Sequence, residues 1–276
     1  MATQRRIGIV GFGKIGKYLF ENIKDRDDFE IVFVWNRSTS AMDGIVPPNL
    51  VLDDLCKFAS RNADLIIEVA HPCISDQYGA DFISSADYFV GSPTALADAH
   101  VEKKLRDGAI KHGLYIPSGA LWGGQDIQKM ADRGTLQGLK ITMTKHPDAF
   151  RLESPLKEVN ETVLEPTVLY DGPVKDLCPL APNNVNTMAA ACMMAHNLGF
   201  EKVQGCIASD PNAREYHLIQ IDVIGPGDAS AGKAFTVSTT RKSPASYKAV
   251  TSNATYVSFF SSVLRAQGQG AGVHLC

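Results

Sequence analysis

Residues 7–16 read Ile7-Gly8-Ile9-Val10-Gly11-Phe12-Gly13-Lys14-Ile15-Gly16, a short apolar run that breaks into a G-x-G-x-x-G turn and opens a helical pattern. Each glycine has its own task in such a strand–turn–helix. The first allows the tight turn, the second lets a pyrophosphate approach the backbone, and the third brings helix and strand close together. The helix N-terminus adds unpaired N–H groups and the positive end of a dipole. The stretch predicts a dinucleotide site in which Gly11, Phe12, Gly13, Lys14, Ile15 and Gly16 wrap the phosphates; a merely structural turn is the alternative.

Outward from that turn, from Arg5 to about Thr144, β-branched runs alternate with segments of helical period, the mark of βαβ units on a parallel sheet. Strands are expected at 6–10, 30–35, 63–69, 87–91, 114–117 and 139–144, and helices at 14–24, 50–60, 73–84, 94–112 and 125–133. The fold class is α/β: a Rossmann-type, doubly wound parallel sheet over residues 1–144.

Ligands of such sheets lie outside the carboxyl ends of the strands, which makes residues just past each strand candidate contacts. After the second strand come Asn36, Arg37 and Ser38. An acid there would bond a ribose 2′-hydroxyl and repel a 2′-phosphate. A neutral Asn, an Arg and a hydroxyl instead admit NADP at least as well as NAD, unless Arg37 is simply a solvated side chain. After the third strand Ala70 and His71 are candidates, His71 otherwise being a hydrogen-bonded loop residue. After the fifth, Ser118, Gly119 and Ala120 are small enough for a nicotinamide ring to lie close to backbone, or form a plain tight turn.

Past Lys145 the character changes. Strands at 162–170, 202–208, 216–224 and 234–240 follow one another with one helix, 184–197, between Pro182 and Gly199. A second α+β domain, for catalysis and dimer contacts, is expected over 145–252. A final helix at 253–266 is expected to pack back on the first domain, with a loop over 267–272.

Among 276 residues, 45% apolar and 21% charged describe a chain that buries a core. Twenty-seven basic against thirty acidic residues, without long runs of one sign, argue against a nucleic-acid partner. The longest apolar run, Met188 to Ala195, is far short of the roughly 18 residues a membrane span needs. No signal-peptide core follows Arg5 and Arg6, and the six cysteines form no CxxC pair, so a cytoplasmic protein with reduced thiols is expected. No His, Cys and Asp have metal-ligand spacing. Cys73 beside His71 offers only a weak case for a nucleophile.

His217 lies in the strand pattern Glu215-Tyr216-His217-Leu218-Ile219-Gln220-Ile221-Asp222-Val223. It shares a largely apolar face with Glu215, Ile219, Ile221 and Val223, because strand side chains alternate. On pattern alone it is either a satisfied core histidine or an acid–base group, imidazole being the side chain that titrates near neutrality. Asn184 and Asn186, near a helix start, read equally as caps or as amide contacts. His196 and Asn197, ahead of Gly199, fit helix termination. Lys145, Arg151, Arg214, Arg241 and Lys242 are candidate carboxylate anchors.

Across most of its length the chain resembles the L-aspartate dehydrogenases. The likeness rests on the GFGKIG turn, on Ser118-Gly119-Ala120, on Pro182-Asn183-Asn184-Val185-Asn186-Thr187, and on Ser209-Asp210-Pro211 followed by Tyr216-His217-Leu218-Ile219. Asp176 and the Ser243-Pro244-Ala245-Ser246 loop keep the family's order. The resemblance implies reversible NAD- or NADP-dependent oxidative deamination of L-aspartate to iminosuccinate, then oxaloacetate and ammonia, in a homodimer. It further implies that Ala120 and Asn186 touch the cofactor and that His217 is catalytic. Where the family often has Asn two residues before that histidine, this chain has Glu215, and Lys145-His146-Pro147-Asp148 matches the family's Lys-Pro element loosely. The other readings are a related oxidoreductase acting on a small amino or oxo acid, and an NADP-binding sensor without turnover.

Overall fold

The computed structural model describes residues 4–276, the side chain of Asn253 excepted. Two compact units divide the chain: everything up to Pro117 with Phe260–His274 and Cys276 forms the first, and Ser118–Phe259 with Leu275 the second.

The first unit runs β1 (Arg5–Val10), α1 (Lys14–Ile23), β2 (Phe29–Trp35), β3 (Leu65–Glu68), α2 (Pro72–Ser85), β4 (Asp87–Val90), α3 (Ala99–Gly108) and β5 (Gly113–Ile116). These strands pair in parallel in the order β5-β4-β3-β1-β2. Both faces are covered, so Ile7, Ile9, Val10, Phe33, Val34, Leu65, Ile66 and Ile67 are all buried, and the strands read as unbroken apolar runs. The chain leaves β1 to one side for β2 and returns to the other for β3, which puts a topological switch point between the carboxyl ends of β1 and β3.

Two expected helices differ. Residues 50–60 hold a 3₁₀ stretch, Leu55–Arg61, begun by the Asp54 carboxylate accepting the Cys56 N–H. The segment 94–112 splits into a 3₁₀ turn, Pro93–Ala97, and α3, because Asp98 caps a new helix by accepting from His100 and Val101.

The second unit contains α4 (Gly124–Asp132), β6 (Gly138–Lys145), α5 (Leu156–Glu161), β7 (Thr167–Pro173), α6 (Val174–Leu177), α7 (Asn186–Met194), α8 (Gly199–Lys202), β8 (Gln204–Ser209), β9 (Tyr216–Asp228) and β10 (Lys233–Pro244). Its sheet runs β10-β9-β6-β8-β7, with β6 and β8 parallel and the other pairs antiparallel. Helix α7 is buried from Met188 to Met194. It packs on β8 at Gly205, where a Cβ would stand 3.0 Å from the Met188 sulfur.

The division between units falls at Pro117/Ser118, ahead of the expected boundary after residue 144, because the strand at 138–145 joins β8 and β9 rather than the parallel sheet. Helix α9 (Asn253–Arg265) is shared: residues up to Phe259 group with the second unit and those from Phe260 with the first. Arg5 anchors its far end, donating to the Ala266 carbonyl and pairing with Asp87 at 2.6 Å. Beyond the Gly/Gln-rich loop a further strand, β11 (Gly272–Leu275), joins the sheet beside β5. No helix among the described residues is long and apolar enough to cross a membrane.

Candidate active site

In the first unit the candidate residues begin at the turn after β1. Gly11 has φ +109°, and a Cβ on it would lie 2.7 Å from the Ala70 nitrogen, so the turn is wedged against the chain leaving β3. A Cβ on Gly16 would stand 2.0 Å from the Gly11 carbonyl oxygen, so this glycine lets helix and turn touch. Gly13 differs: nothing lies within 4 Å of where its Cβ would be. It is also the N-cap of α1 and carries no side chain to bond the first-turn N–H groups. Open space in front of uncapped donors is the form of an anion cradle. Phe12 is buried edge-on to Phe20, Ile15 is half-buried, and Lys14 is exposed at the mouth of the turn.

Asn36 braces this turn. Its Oδ1 accepts the Phe12 N–H at 2.9 Å and its Nδ2 donates to the Ser38 carbonyl at 2.8 Å. Arg37 is exposed, and no partner for its guanidinium is found among the described residues. The Ser38 hydroxyl bonds that of Ser40.

The carboxyl end of β3 holds a group that the sequence reading passed over. Glu68 is fully buried. Its Oε1 accepts from the Ala70 and His71 N–H groups at 2.7 and 2.8 Å and from the Ser92 hydroxyl at 3.1 Å, and its Oε2 accepts the Ser92 N–H at 3.0 Å. Burial pushes its carboxyl up to about 7, against the pull of these donors. One acid thus fixes the loops after β3 and β4. His71 is exposed and caps α2, its Nδ1 accepting the Cys73 N–H at 3.3 Å.

The second unit holds its own candidate residues. Gly119 has φ +58° and its carbonyl accepts from Ser258 Oγ at 3.0 Å and Arg241 Nη1 at 3.4 Å, while the Ala120 N–H donates to Thr187 Oγ1 at 3.4 Å. The Ser118–Ala120 turn is thereby tied to the first residues of α7. Asn186 opens that helix without capping it; Val185 holds the cap position. The Asn186 Oδ1 and Asn184 Nδ2 are buried and have no hydrogen-bond partner among the described residues, although Asn184 Oδ1 accepts the Arg151 N–H at 2.9 Å. A buried acceptor and a buried donor left open invite a ligand with the reverse pair.

His217 continues the buried face of β9 formed by Ile219, Ile221 and Val223. The register lays a polar row across four strands at the end of this face. Lys145 pairs with Ser209, His217 pairs with Ser243, and Lys145 and His217 are one residue past the paired Thr144 and Leu218. All four are buried. Ser209 Oγ donates to Asn160 Oδ1, Ser243 Oγ accepts from Arg241 Nε, and Lys145 Nζ donates to the Val250 carbonyl at 3.0 Å. Burial lowers the Lys145 ammonium to about 7. Burial, and then the Lys145 charge, lower His217 to about 4, partly opposed by the Ala249 carbonyl. The imidazole is therefore neutral at physiological pH.

Of the other candidate cations, Arg214 lies over the Tyr247 ring and Lys242 over Tyr216, whereas Arg151 donates to the Asp148 and Phe150 carbonyls. His196 pairs with Asp132 at 2.9 Å. A cavity of about 650 Å³ beside the 147–153 turn is lined by Phe150, Arg151, Asn160 and Lys248, without Lys145 or His217. No cluster of His, Cys, Asp or Glu among the described residues is arranged to hold a metal.

A glycine turn at the switch point of a parallel sheet is the form of a dinucleotide-binding domain, and here a mixed α/β unit follows it. Residues 11–117 match the homoserine dehydrogenase NAD-binding domain, and residues 126–264 match the C-terminal domain of aspartate dehydrogenase. The chain belongs to the aspartate dehydrogenase family. It is 52% identical to an aspartate dehydrogenase domain-containing protein of Xenopus tropicalis over the full length of both. It is 27% identical to the L-aspartate dehydrogenase of Nitrosopumilus maritimus, over 75% of this chain and 79% of that one. The crystal structure of aspartate dehydrogenase from Thermotoga maritima has the same fold, with a TM-score of 0.69 at 19% identity over 97% of this chain and 98% of that one.

Proposed function

We propose that the protein catalyses the reversible, NAD(P)-dependent oxidative deamination of L-aspartate. The observation that carries this reading is the neutral His217 beside Lys145, buried at the end of an apolar sheet face. Family membership supports the substrate class, and Arg37, exposed beside the turn, supports acceptance of a 2′-phosphate.

The cradle of Gly11 to Gly16 would hold the pyrophosphate, and Asn36 to Ser38 the adenosine ribose. Ala70, His71, Ser118 and Ala120 would line the nicotinamide end. The open Oδ1 of Asn186 and Nδ2 of Asn184 suit a carboxamide, which offers one N–H₂ and one carbonyl. When bound, the cofactor accepts the hydride that leaves the substrate Cα. His217 takes a proton from the substrate ammonium, freeing the nitrogen lone pair to form the C=N bond as that hydride departs. After releasing that proton to solvent it takes one from the water that adds to Cα and hands it to the amine nitrogen, so that ammonia leaves as the carbinol O–H gives its proton to solvent and the C=O of oxaloacetate forms. The same steps reversed aminate oxaloacetate. A homodimer assembled along β10, the outer strand of its sheet, completes the reading.

Purified protein should reduce NAD(P) only when L-aspartate is present, and oxidise NAD(P)H only with oxaloacetate and ammonium. His217→Ala should abolish both while cofactor affinity stays unchanged. Loss of cofactor binding in that variant would make the histidine structural and end its proposed role.

A further inference from the structure

We propose that Lys145 is the seat of one substrate carboxylate. This rests on the dicarboxylate reading above and adds to it the residue that recognises the anion.

Lys145 is only 4% exposed, yet among the described residues its ammonium, with three N–H donors, has a single hydrogen-bond acceptor, the Val250 carbonyl. Its remaining neighbour of note is the Phe150 ring, 5.5 Å from Nζ. No carboxylate lies within 4.0 Å of it among the described residues. The residues sharing its face on β6 and β9 are Leu139, Ile141, Met143, Ile219, Ile221 and Val223. The polar side chains of the row are already committed: Ser209 to Asn160, and Ser243 to Arg241. Arg241, opposite Ile219 in the next rank, is a second cation.

A buried ammonium without a counter-charge is costly, and proteins seldom keep one unless something completes it. The completing group must be an anion small enough to sit next to His217. A carboxylate on the carbon chain that His217 deprotonates meets both conditions. Its charge would also offset the repulsion Lys145 exerts on His217 and raise the proton affinity of the imidazole toward physiological pH, where a base is effective.

The test is calorimetric titration of succinate, a dicarboxylate that cannot react, into the full chain saturated with NADPH. Wild type should bind. Lys145→Met should weaken succinate by about thirtyfold or more, the usual loss when one partner of a buried charge pair is removed, with NADPH affinity unchanged. Lys145→Arg, which keeps the charge but cannot act as a base, should retain binding within about tenfold. In wild type the ¹³C-labelled His217 ring should titrate at higher pH with succinate bound, and in Lys145→Met it should not move. If circular dichroism shows that Lys145→Met is unfolded, Lys145→Gln is judged by the same thresholds. Equal succinate affinity in wild type and the folded neutral variant would overturn the seat while leaving the dicarboxylate reading standing. Failure of wild type to bind succinate would overturn that reading and the seat with it.

Discussion

Asn36 closes over Phe12: the side-chain oxygen of one takes the backbone N–H of the other at 2.9 Å, joining the end of β2 to the glycine turn. Asn36→Asp keeps an acceptor there but adds a negative charge where a 2′-phosphate would lie. It should lower the melting temperature modestly, because Asp cannot donate to the Ser38 carbonyl, and move the NADPH/NADH affinity ratio toward NADH by about tenfold, or 1.4 kcal/mol. Arg37→Ala should weaken NADPH and leave NADH alone. Fluorescence titrations of both cofactors decide; an unchanged ratio in both variants would remove Asn36 and Arg37 from cofactor choice.

Of the three turn glycines, Gly13 alone faces open space, and its φ of −75° suits any residue. Gly13→Ala should therefore melt like wild type but bind cofactor about tenfold more weakly, since one methyl forced into a filled site costs about 1–3 kcal/mol. Gly16→Ala should destabilise the fold itself, because its Cβ collides with the Gly11 carbonyl. Equal cofactor affinity in Gly13→Ala would mean that no ligand occupies that space.

Glu68→Ala would leave the Ala70, His71 and Ser92 N–H groups without their acceptor. Each unmet donor costs about 1–3 kcal/mol, so a loss of at least about 3 kcal/mol in urea denaturation is expected, together with weaker cofactor binding. A variant as stable as wild type would show that water replaces the carboxylate freely.

The pH dependence of stability follows from three buried groups, Lys145, Glu68 and His217. Folded Lys145 gives up its proton near 7, whereas the unfolded chain holds it to 10.5, so stability should rise with pH across that window. Lys145→Met should flatten the rise. Glu68 holds its proton to about 7 in the fold against 4.5 unfolded, so its contribution falls as pH goes from 4.5 to 7, and Glu68→Gln should remove that fall. Over nearly the same range His217 acts in the opposite sense, its contribution being lost as pH drops from 6.5 toward 4, so that Glu68→Gln should expose the His217 slope. Denaturation midpoints of apo protein between pH 4 and 10.5 test all three.

The parallel sheet was legible because its strands are buried on both faces and punctuated by glycine, so period and spacing alone locate them. His217 was legible as a polar residue on an apolar face for the same reason. That Lys145, Ser209 and Ser243 stand in one row with His217 was not legible, because each is one polar residue at the end of its own strand, and only strand register makes them neighbours. Register here depends on β6 leaving the first sheet for the second, a choice that composition does not encode. Glu68 was overlooked beside His71, although an acid closing an apolar run is itself a signal. The strand at 272–275 escaped notice because it follows a glycine-rich stretch and gains order only by lying beside β5.

Strand β10 has a neighbour on one side only, and along it Phe235 and Val237 are 51% and 40% exposed. The same ribbon carries Arg241 and Ser243, which brace the Gly119 turn and face His217. Quaternary assembly and chemistry would then share a single mechanical part. A second copy docking there would stiffen the very residues that shape the substrate pocket, and specific activity would climb with protein concentration until the pairing saturates.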